Sequence, residues 1–407
     1  MSAQLLTLVL VVVVALGFDF TNGFHDTGNS MATSIATGAL KPKTAVALSA
    51  ILNLVGAFLS VEVAITVTNA VVDIQDSNGN PMPSLTADHG SALLMIILAG
   101  LIGGILWNVG TWLLGLPSSS SHALFGGLIG ATVAGIGWSG VHWTGDSTKL
   151  DGVLGKVVLP AVASPIIAAV VSMLSTWVIF KVTARIGEGL NGHGFRVGQI
   201  GSASLMSLAH GTNDAQKTMG VITLALIGYG SWHDPNAIPL WVKVSCAAAI
   251  ALGTYLGGWR IIRTLGKGLV EIEPRQGMAA QGSAAAVILA SSQLGFALST
   301  THVATGAILG SGVGKPGGSV RWSVAGRMVV AWLITLPMAG AVGAATWYVG
   351  DLCGGGALGA LVMVAILVVL AGWMFNRSRR EPINSDNVNE VWNATSAVVE
   401  PSEPVAA

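Results

Sequence analysis

The sequence predicts an all-α, polytopic membrane protein: an inverted-topology repeat with broken helices and re-entrant hairpins. Three observations carry that prediction. Charged residues make up 9% of the 407-residue chain and hydrophobic ones 52%, where soluble proteins carry about 25% charged residues. Apolar runs recur at lengths near the ~20 residues that cross a bilayer as a helix. Two polar motifs also recur, in the same order, in the two halves of the chain. The 54 glycines fit, because small residues let helices approach closely where lipid supplies no hydrophobic drive. A formal net charge of zero gives no footprint for nucleic acid. Cys246 and Cys353 lie far apart in apolar or Gly-rich surroundings and read as packing residues, without a disulfide or metal site.

Taken in order, the first apolar run spans 4–40 and opens on Leu5–Leu16. It lacks the basic n-region and the small-residue cleavage site of a signal peptide, so it reads as a retained segment. NGFHDTGN (22–29) interrupts it. Runs follow at 44–68, 91–115, 121–138, 156–181, 199–229 (interrupted by HGTNDAQKTMG, 210–220), 240–262, 283–298, 302–313, 322–349 and 356–375. The tail from Asn376 is polar, offers little for a core and reads as disordered. The expected organisation is a first repeat over 1–181, a second, inverted repeat with its linking loop over 182–375, and a polar tail over 376–407.

Lys and Arg cluster at Lys41/Lys43, Lys181/Arg185/Arg196, Arg260/Arg263/Lys267/Arg275, Lys315/Arg321/Arg327 and Arg377/Arg379/Arg380. The loops 69–90, 230–239 and 351–355 have none, and 139–156 mixes Lys149 and Lys156 with Asp146 and Asp151. The positive-inside rule puts the clusters and the tail in the cytoplasm of a plasma-membrane protein. The pair 91–115/121–138 then begins and ends outside, and the pair 283–298/302–313 begins and ends inside. Each is a re-entrant hairpin with a protein-buried tip or two full spans, and charge alone leaves both open.

Self-similarity supports a duplication. GFHD (23–26) resembles GTND (211–214), and SSSHALFGGLIG (119–130) resembles STTHVATGAILG (299–310). Asp26 and His122 stand 96 residues apart, Asp214 and His302 88. The first motif's segment ends inside and the second's starts inside, so the halves have opposite topology, the plan of many secondary transporters.

Asp26 and Asp214 are costly at membrane depth, about 2.5–3.5 kcal/mol on insertion scales. Their surroundings (Asn22, Gly23, His25, Thr27, Gly28, Asn29; Gly211, Thr212, Asn213, Gln216) suit a broken helix whose free carbonyls and side-chain oxygens hold a cation. Helix capping or local pairing is the blander alternative. Ser119, Ser120 and Ser121 follow Pro117, and Ser299, Thr300 and Thr301 repeat them. Hydroxyls and free N–H groups at a helix start favour an anion, and two such runs could grip one tetrahedral oxyanion; plain N-capping is the alternative. Lys217, three residues after Asp214, either pairs with it or sets a positive charge near an anion. His122 and His302 orient the tips or carry protons. His25 is a better proton-relay candidate than His210. Glu62, alone inside 44–68, is an ion-coupling candidate unless it reaches water near the span's end. Asn108 and Thr111 read as holding the first hairpin, and Asp73, Asp76, Asp88 and His233 as solvated loop residues.

These residues resemble the inorganic phosphate transporter (PiT) family along 4–375, through NGFHDTGN (22–29), WNVGTW (107–112), SSSSHALFGG (118–127), HGTNDAQKTMG (210–220) and LSTTHVATGAILG (298–310). The resemblance implies an inverted duplication with a signature like G-x-N-D-x-x-N in each half. It places Asp26, Asn29, Asn213 and Asp214 at an ion and phosphate centre, with Ser119–Ser121 and Ser299–Thr301 around phosphate. His25 and Lys217 depart from that signature where Asn is usual. Both departures resemble the low-affinity bacterial branch, which couples to protons and takes phosphate largely as a neutral metal–phosphate complex. The resemblance therefore implies proton symport of inorganic phosphate, with a divalent metal as cargo of unknown ligand set and no resident cofactor. Sodium coupling and a sulfate permease of the same fold are the alternatives, and a homodimer is one assembly to expect. An intramembrane hydrolase using Ser121 and His122 fits less well, because adjacent helix residues do not face each other. A channel would not need two buried acidic centres.

Overall fold

The computed structural model describes residues 2–70, 83–144, 152–184 and 188–390. Asp73, Asp76, Asp146, Lys149, Asp151, Arg185 and the tail from 391 lie outside the described residues. Thirteen α-helices follow one another among those described: α1 (Ala3–Ala36), α2 (Pro42–Gly56), α3 (Glu62–Ala70), α4 (Pro83–Leu113), α5 (Ser120–Ile136), α6 (Leu159–Thr183), α7 (Glu188–Tyr229), α8 (Leu240–Leu256), α9 (Trp259–Arg263), α10 (Pro274–Gln293), α11 (Thr300–Gly314), α12 (Trp322–Leu352) and α13 (Gly356–Ser378). The described residues contain no β-strand beyond one isolated bridge between Val270 and Val320. Among the described residues, five segments are long and apolar enough to cross a membrane: Ala3–Ala36, Ala87–Leu113, Leu154–Thr183, Trp322–Leu352 and Gly356–Ser378. Leu240–Leu256 with Trp259–Gly268 makes a sixth, bent by 60°. The protein is a multi-pass membrane protein, and among the described residues its regular secondary structure is helical.

Apolar side chains cover the outside of the bundle. Val162, Ile166 and Val170 on α6, Val330 and Leu333 on α12, and Val368 and Val369 on α13 are all exposed, as lipid-facing residues must be when hydrocarbon is the solvent. The inside is polar where the motifs lie: every residue from Asp26 to Ile35 of α1 is buried, and so is every residue from Ala209 to Leu226 of α7. Thus the hydrophobic contrast of a soluble protein is reversed around the centre.

Helix packing is reciprocal between the halves. α1 packs on α8 and α7 on α2; α5 packs on α12 and α11 on α6. Glycines permit the first two crossings. A Cβ on Gly23 would strike the Ile250 carbonyl and one on Gly253 the Phe20 carbonyl; on the other side Gly56 meets Leu208 and Gly211 meets Asn53 in the same way.

The helices carrying Asp26 and Asp214 are continuous, contrary to the broken helices expected there. α1 and α7 run unbroken through both motifs, because their glycines serve close packing and leave the helical hydrogen bonds in place. The breaks fall instead in the neighbouring segments. The 44–68 run is two helices, α2 and α3, parted at Ala57–Val61, and the 240–262 run parts at Gly257–Gly258. The orphan donors that a helix start exposes are met at α3 by the Gln216 side chain, whose Oε1 accepts from Val63 N (2.9 Å) and Ala64 N (3.2 Å).

The two hairpins end alike. α4 and α10 each close with a left-handed glycine, Gly115 (φ 64°) and Gly295 (φ 69°), and the next residue bonds back five positions, Leu116 N to Thr111 O at 2.9 Å and Phe296 N to Ser291 O at 3.0 Å. This is the glycine-terminated helix cap that L-residues other than glycine adopt at a cost. α5 and α11 then start from Ser119 and Ser299, whose hydroxyls accept from His122 N (3.1 Å) and His302 N (3.2 Å).

The first part of the tail is also built in, where disorder was expected. Val388 is buried in the core, Asn389 Nδ2 donates to Ile35 O (3.3 Å), and Arg260 Nη2 donates to Ser378 O (3.1 Å). A single well-placed valine and backbone carbonyls suffice to dock a polar segment.

Candidate functional site

The two hairpin tips meet each other and both acidic motifs at the centre of the bundle. Ser118–Ser121 and Ser299–Thr301 are all buried. Lys217 of α7 ties the tips together: its Nζ donates to Ser121 Oγ (2.6 Å) on one and to Leu298 O (2.8 Å) on the other, and pairs with Asp214 Oδ1. The ammonium therefore sits among a hydroxyl, a carbonyl and a carboxylate oxygen, which are the ligands a hard cation takes. Ser121 Oγ donates to the same Leu298 carbonyl at 3.2 Å.

Asp26 lies on the second tip. Its Oδ1 accepts from Thr301 Oγ1 (3.4 Å) and its Oδ2 from Thr300 Oγ1 (3.5 Å). His25 Nδ1 stands 2.6 Å from Oδ1, while His25 Nε2 reaches Thr111 Oγ1 (3.3 Å) and Ser118 Oγ (3.5 Å) on the first hairpin. Ser120 Oγ lies 3.5 Å from His25 Nδ1. Asn29 Nδ2 donates to Thr301 Oγ1 (3.0 Å) and Thr300 Oγ1 (3.3 Å). Thr300 also connects the two acids, at 2.9 Å from Asp214 Oδ2. His210 Nε2 stands 2.9 Å from that same oxygen. One ligand atom each from Asp26, His210 and Asp214 lie within 4.8 Å of one another.

Asn213 Nδ2 donates to Ser292 Oγ (2.9 Å) and Phe296 O (3.3 Å), bracing α10 and its tip. The Asn29 and Asn213 side-chain oxygens are buried and accept nothing among the described residues. Ser119 and Ser299 serve as the N-caps described above, and each hydroxyl still has a proton to donate. His122 and His302 face each other beyond the tips, ring centroids 4.8 Å apart, and His302 lies on Trp332 at 4.2 Å. Their side chains hold the hairpins against α6 and α12; His302 Nδ1 is 3.1 Å from Ala161 O. Thr111 bonds Ser118 Oγ at 2.7 Å and so does hold the first hairpin.

Glu62 is not among the centre's residues. It is exposed at the start of α3, beside the break, where a carboxylate favours the helix dipole. The apolar run concealed that break. Glu62→Gln is expected to leave transport unchanged, checked by uptake in proteoliposomes; a large loss would return Glu62 to the site. Asp88 and His233 are exposed. Several central residues were not singled out from the sequence. Asn53 Oδ1 lies 3.2 Å from His210 Nδ1 and its Nδ2 donates to Thr254 Oγ1 (2.8 Å), so that α2 is tied to both α7 and α8. Asp19, fully buried on α1, was passed over within a largely apolar run, although a carboxylate in such a run is itself the signal.

Comparison with known proteins gives the family and the fold. A model described as the phosphate transporter family matches residues 22–191 and 185–343. A Mycobacterium tuberculosis (strain ATCC 25618 / H37Rv) protein named "Probable low-affinity inorganic phosphate transporter" is 56% identical over 409 residues, covering 100% of this chain and 93% of its own length. A Bacillus subtilis (strain 168) protein of the same name is 40% identical over 349 residues, 86% of this chain and 98% of its own. A solved structure described as "The sodium-dependent phosphate transporter" superposes with a TM-score of 0.67 at 20% identity, over 85% of this chain and 99% of that one, and so shares the fold.

Proposed function

Because the chain belongs to the phosphate transporter family, we propose that it is a proton-coupled symporter of inorganic phosphate that grips the anion between its two hairpin tips. The observation that carries this reading is the position of Lys217 Nζ, bonded to Asp214, Ser121 and the Leu298 carbonyl at once. A tethered ammonium fills the oxygen cage that a sodium ion would otherwise occupy, and ammonium offers a cation no ligand. On this reading the coupling charge is a proton.

Phosphate is received by the N-termini of α5 and α11, whose first-turn N–H groups and hydroxyls favour an anion. Ser120, Ser121, Thr300 and Thr301 supply donors, and Lys217 supplies positive charge by exchanging one of its oxygen partners for a phosphate oxygen. The carboxylates of Asp26 and Asp214 accept from a protonated phosphate, which sulfate cannot offer at neutral pH. Their approach to His210 within 4.8 Å supports carriage of a divalent metal with phosphate as one neutral cargo. The matched caps of α4 and α10 and the reciprocal helix packing support two halves of inverted topology that rock about a central site. A second reading, sodium coupling, is favoured by the unpartnered oxygens of Asn29 and Asn213, which are hard-cation ligands.

Radiolabelled phosphate uptake into proteoliposomes, with proton and sodium gradients imposed separately and sulfate as competitor, separates these readings. Uptake driven by protons and untouched by sulfate is the expected result. Uptake driven only by sodium overturns the coupling assignment, and loss to sulfate overturns the substrate.

A further inference from the structure

One buried acid remains outside the centre just described. Asp19 of α1 is 0% exposed, and neither of its carboxyl oxygens has a hydrogen-bond partner among the described residues. Seven residues before Asp26, it lies two helical turns, about 10 Å, from the phosphate site along α1. Asn22 stands between them on the same face at i+3. The charged and titratable groups around Asp19 are Asp214 and Lys217 on α7 and the Cys246 thiol on α8, and the Thr218 hydroxyl adjoins it. Lys217 is already engaged by Asp214, Ser121 and Leu298.

An ionised carboxylate buried without donors or a counter-ion is far costlier than its neutral form. Protonation turns one of its oxygens from acceptor to donor. One acceptor waits nearby: Asn22 Oδ1, one turn along, is buried and without a hydrogen-bond partner, whereas the Thr218 hydroxyl beside Asp19 can either accept from the acid or donate to the carboxylate. Protonated, Asp19 can donate to Asn22 Oδ1, which an ionised carboxylate leaves without a donor. In the same bundle Asp26 and Asp214 have histidine, lysine and threonine partners, which Asp19 lacks.

We propose that Asp19 is the site that carries the coupled proton, taking it from the aqueous phase on one side and releasing it to the other, apart from the residues that hold phosphate. This rests on the proton-symport reading above. Its negative charge, when present, opposes an anion two turns away, and its neutralisation lets phosphate in; the two ions are thereby linked without touching.

The test compares the full-length protein with Asp19→Asn and Asp19→Glu in proteoliposomes. With one coupled proton, the parent accumulates phosphate up to about tenfold for each unit of imposed pH difference. Asp19→Asn is expected to lose that accumulation. Its counterflow of labelled for unlabelled phosphate, which moves no net proton, persists. Asp19→Glu keeps accumulation with a shifted pH midpoint, which a purely structural role would not produce. In infrared difference spectra the parent shows the carbonyl band of a protonated carboxylic acid that titrates with uptake and is missing from Asp19→Asn. Full proton-driven accumulation by Asp19→Asn overturns the proposal, as does loss of counterflow and accumulation together in a variant that melts like the parent. If the parent exchanges no phosphate, the transport reading itself falls; if it exchanges phosphate but follows only sodium, the proton assignment falls while transport stands.

Discussion

Phosphate uptake by Lys217→Asn is expected to become sodium-dependent. The ammonium of Lys217 occupies a space bounded by Asp214 Oδ1, Ser121 Oγ and Leu298 O. Removing it vacates a three-oxygen cage around a carboxylate, and the asparagine adds a side-chain oxygen. Without a cation the variant is penalised, since breaking a buried pair from one side costs about 3–5 kcal/mol. Sodium bound to the folded state restores stability by RT ln(1 + [L]/Kd), about 2.7 kcal/mol at a hundredfold excess over Kd. The melting temperature of Lys217→Asn in detergent should therefore rise with sodium chloride and not with choline chloride, while that of the parent is indifferent to the exchange. Uptake should follow the same ion. A variant that is destabilised yet blind to sodium would mean that Lys217 is a structural brace between the tips.

Asp26→Asn is expected to abolish transport while leaving the fold in place. The substitution keeps the side chain's shape and removes its charge. The carboxylate is the common acceptor for His25, Thr300 and Thr301, so it holds the second tip against α1 and keeps two threonine hydroxyls directed. A hydrogen bond to a charged group contributes about 1.5–3 kcal/mol, equivalent to roughly 10–150-fold in an equilibrium. Losing even one from the loaded site should reduce uptake by about that factor, and losing several should bring it to background. Thr300→Val removes the bridge to Asp214 as well as the weaker contact to Asp26 and should fall between Asp26→Asn and the parent. Initial-rate uptake, with melting temperature as the control for folding, checks both. Near-normal uptake by Asp26→Asn would remove Asp26 from the site.

Most of the architecture could be read from the amino acids because lipid imposes a simple rule: long apolar runs become helices, and polar residues within them require partners. The runs near 156–181, 322–349 and 356–375 became α6, α12 and α13 with ends shifted by a few residues. The S-S-S-H and S-T-T-H repeats became two helix starts with the same serine cap. The breaks were harder to place. Glycine has two uses in a membrane helix, ending it or admitting a neighbour, and composition does not distinguish them. Gly23 and Gly211 admit α8 and α2, so the polar motifs stayed helical, and the kinks moved to segments whose polar support, Gln216, lies elsewhere in the chain. Glu62 was drawn into the candidate site by an apolar run that is in fact two helices. Asp19 was overlooked for the opposite reason: Phe18 and Phe20 flank it directly at the end of an apolar run, and only the packed structure shows its oxygens to be without partners. Thr300, Thr301, Asn29 and Asp26 were legible one by one; that they converge with Asp214 and Lys217, from two helices and a hairpin tip far apart in the chain, is a property of the fold.

The central claim is that phosphate lies between the two hairpin tips. Arsenate reproduces the shape and charge of phosphate and scatters anomalously, so crystals grown with arsenate locate it directly. An arsenic peak enclosed by Ser120, Ser121, Thr300 and Thr301, within bonding distance of Lys217 and lost on competition with phosphate, is the predicted result. A phosphate-competed peak elsewhere in the bundle, with the tips closed on Lys217 as they are here, would contradict it.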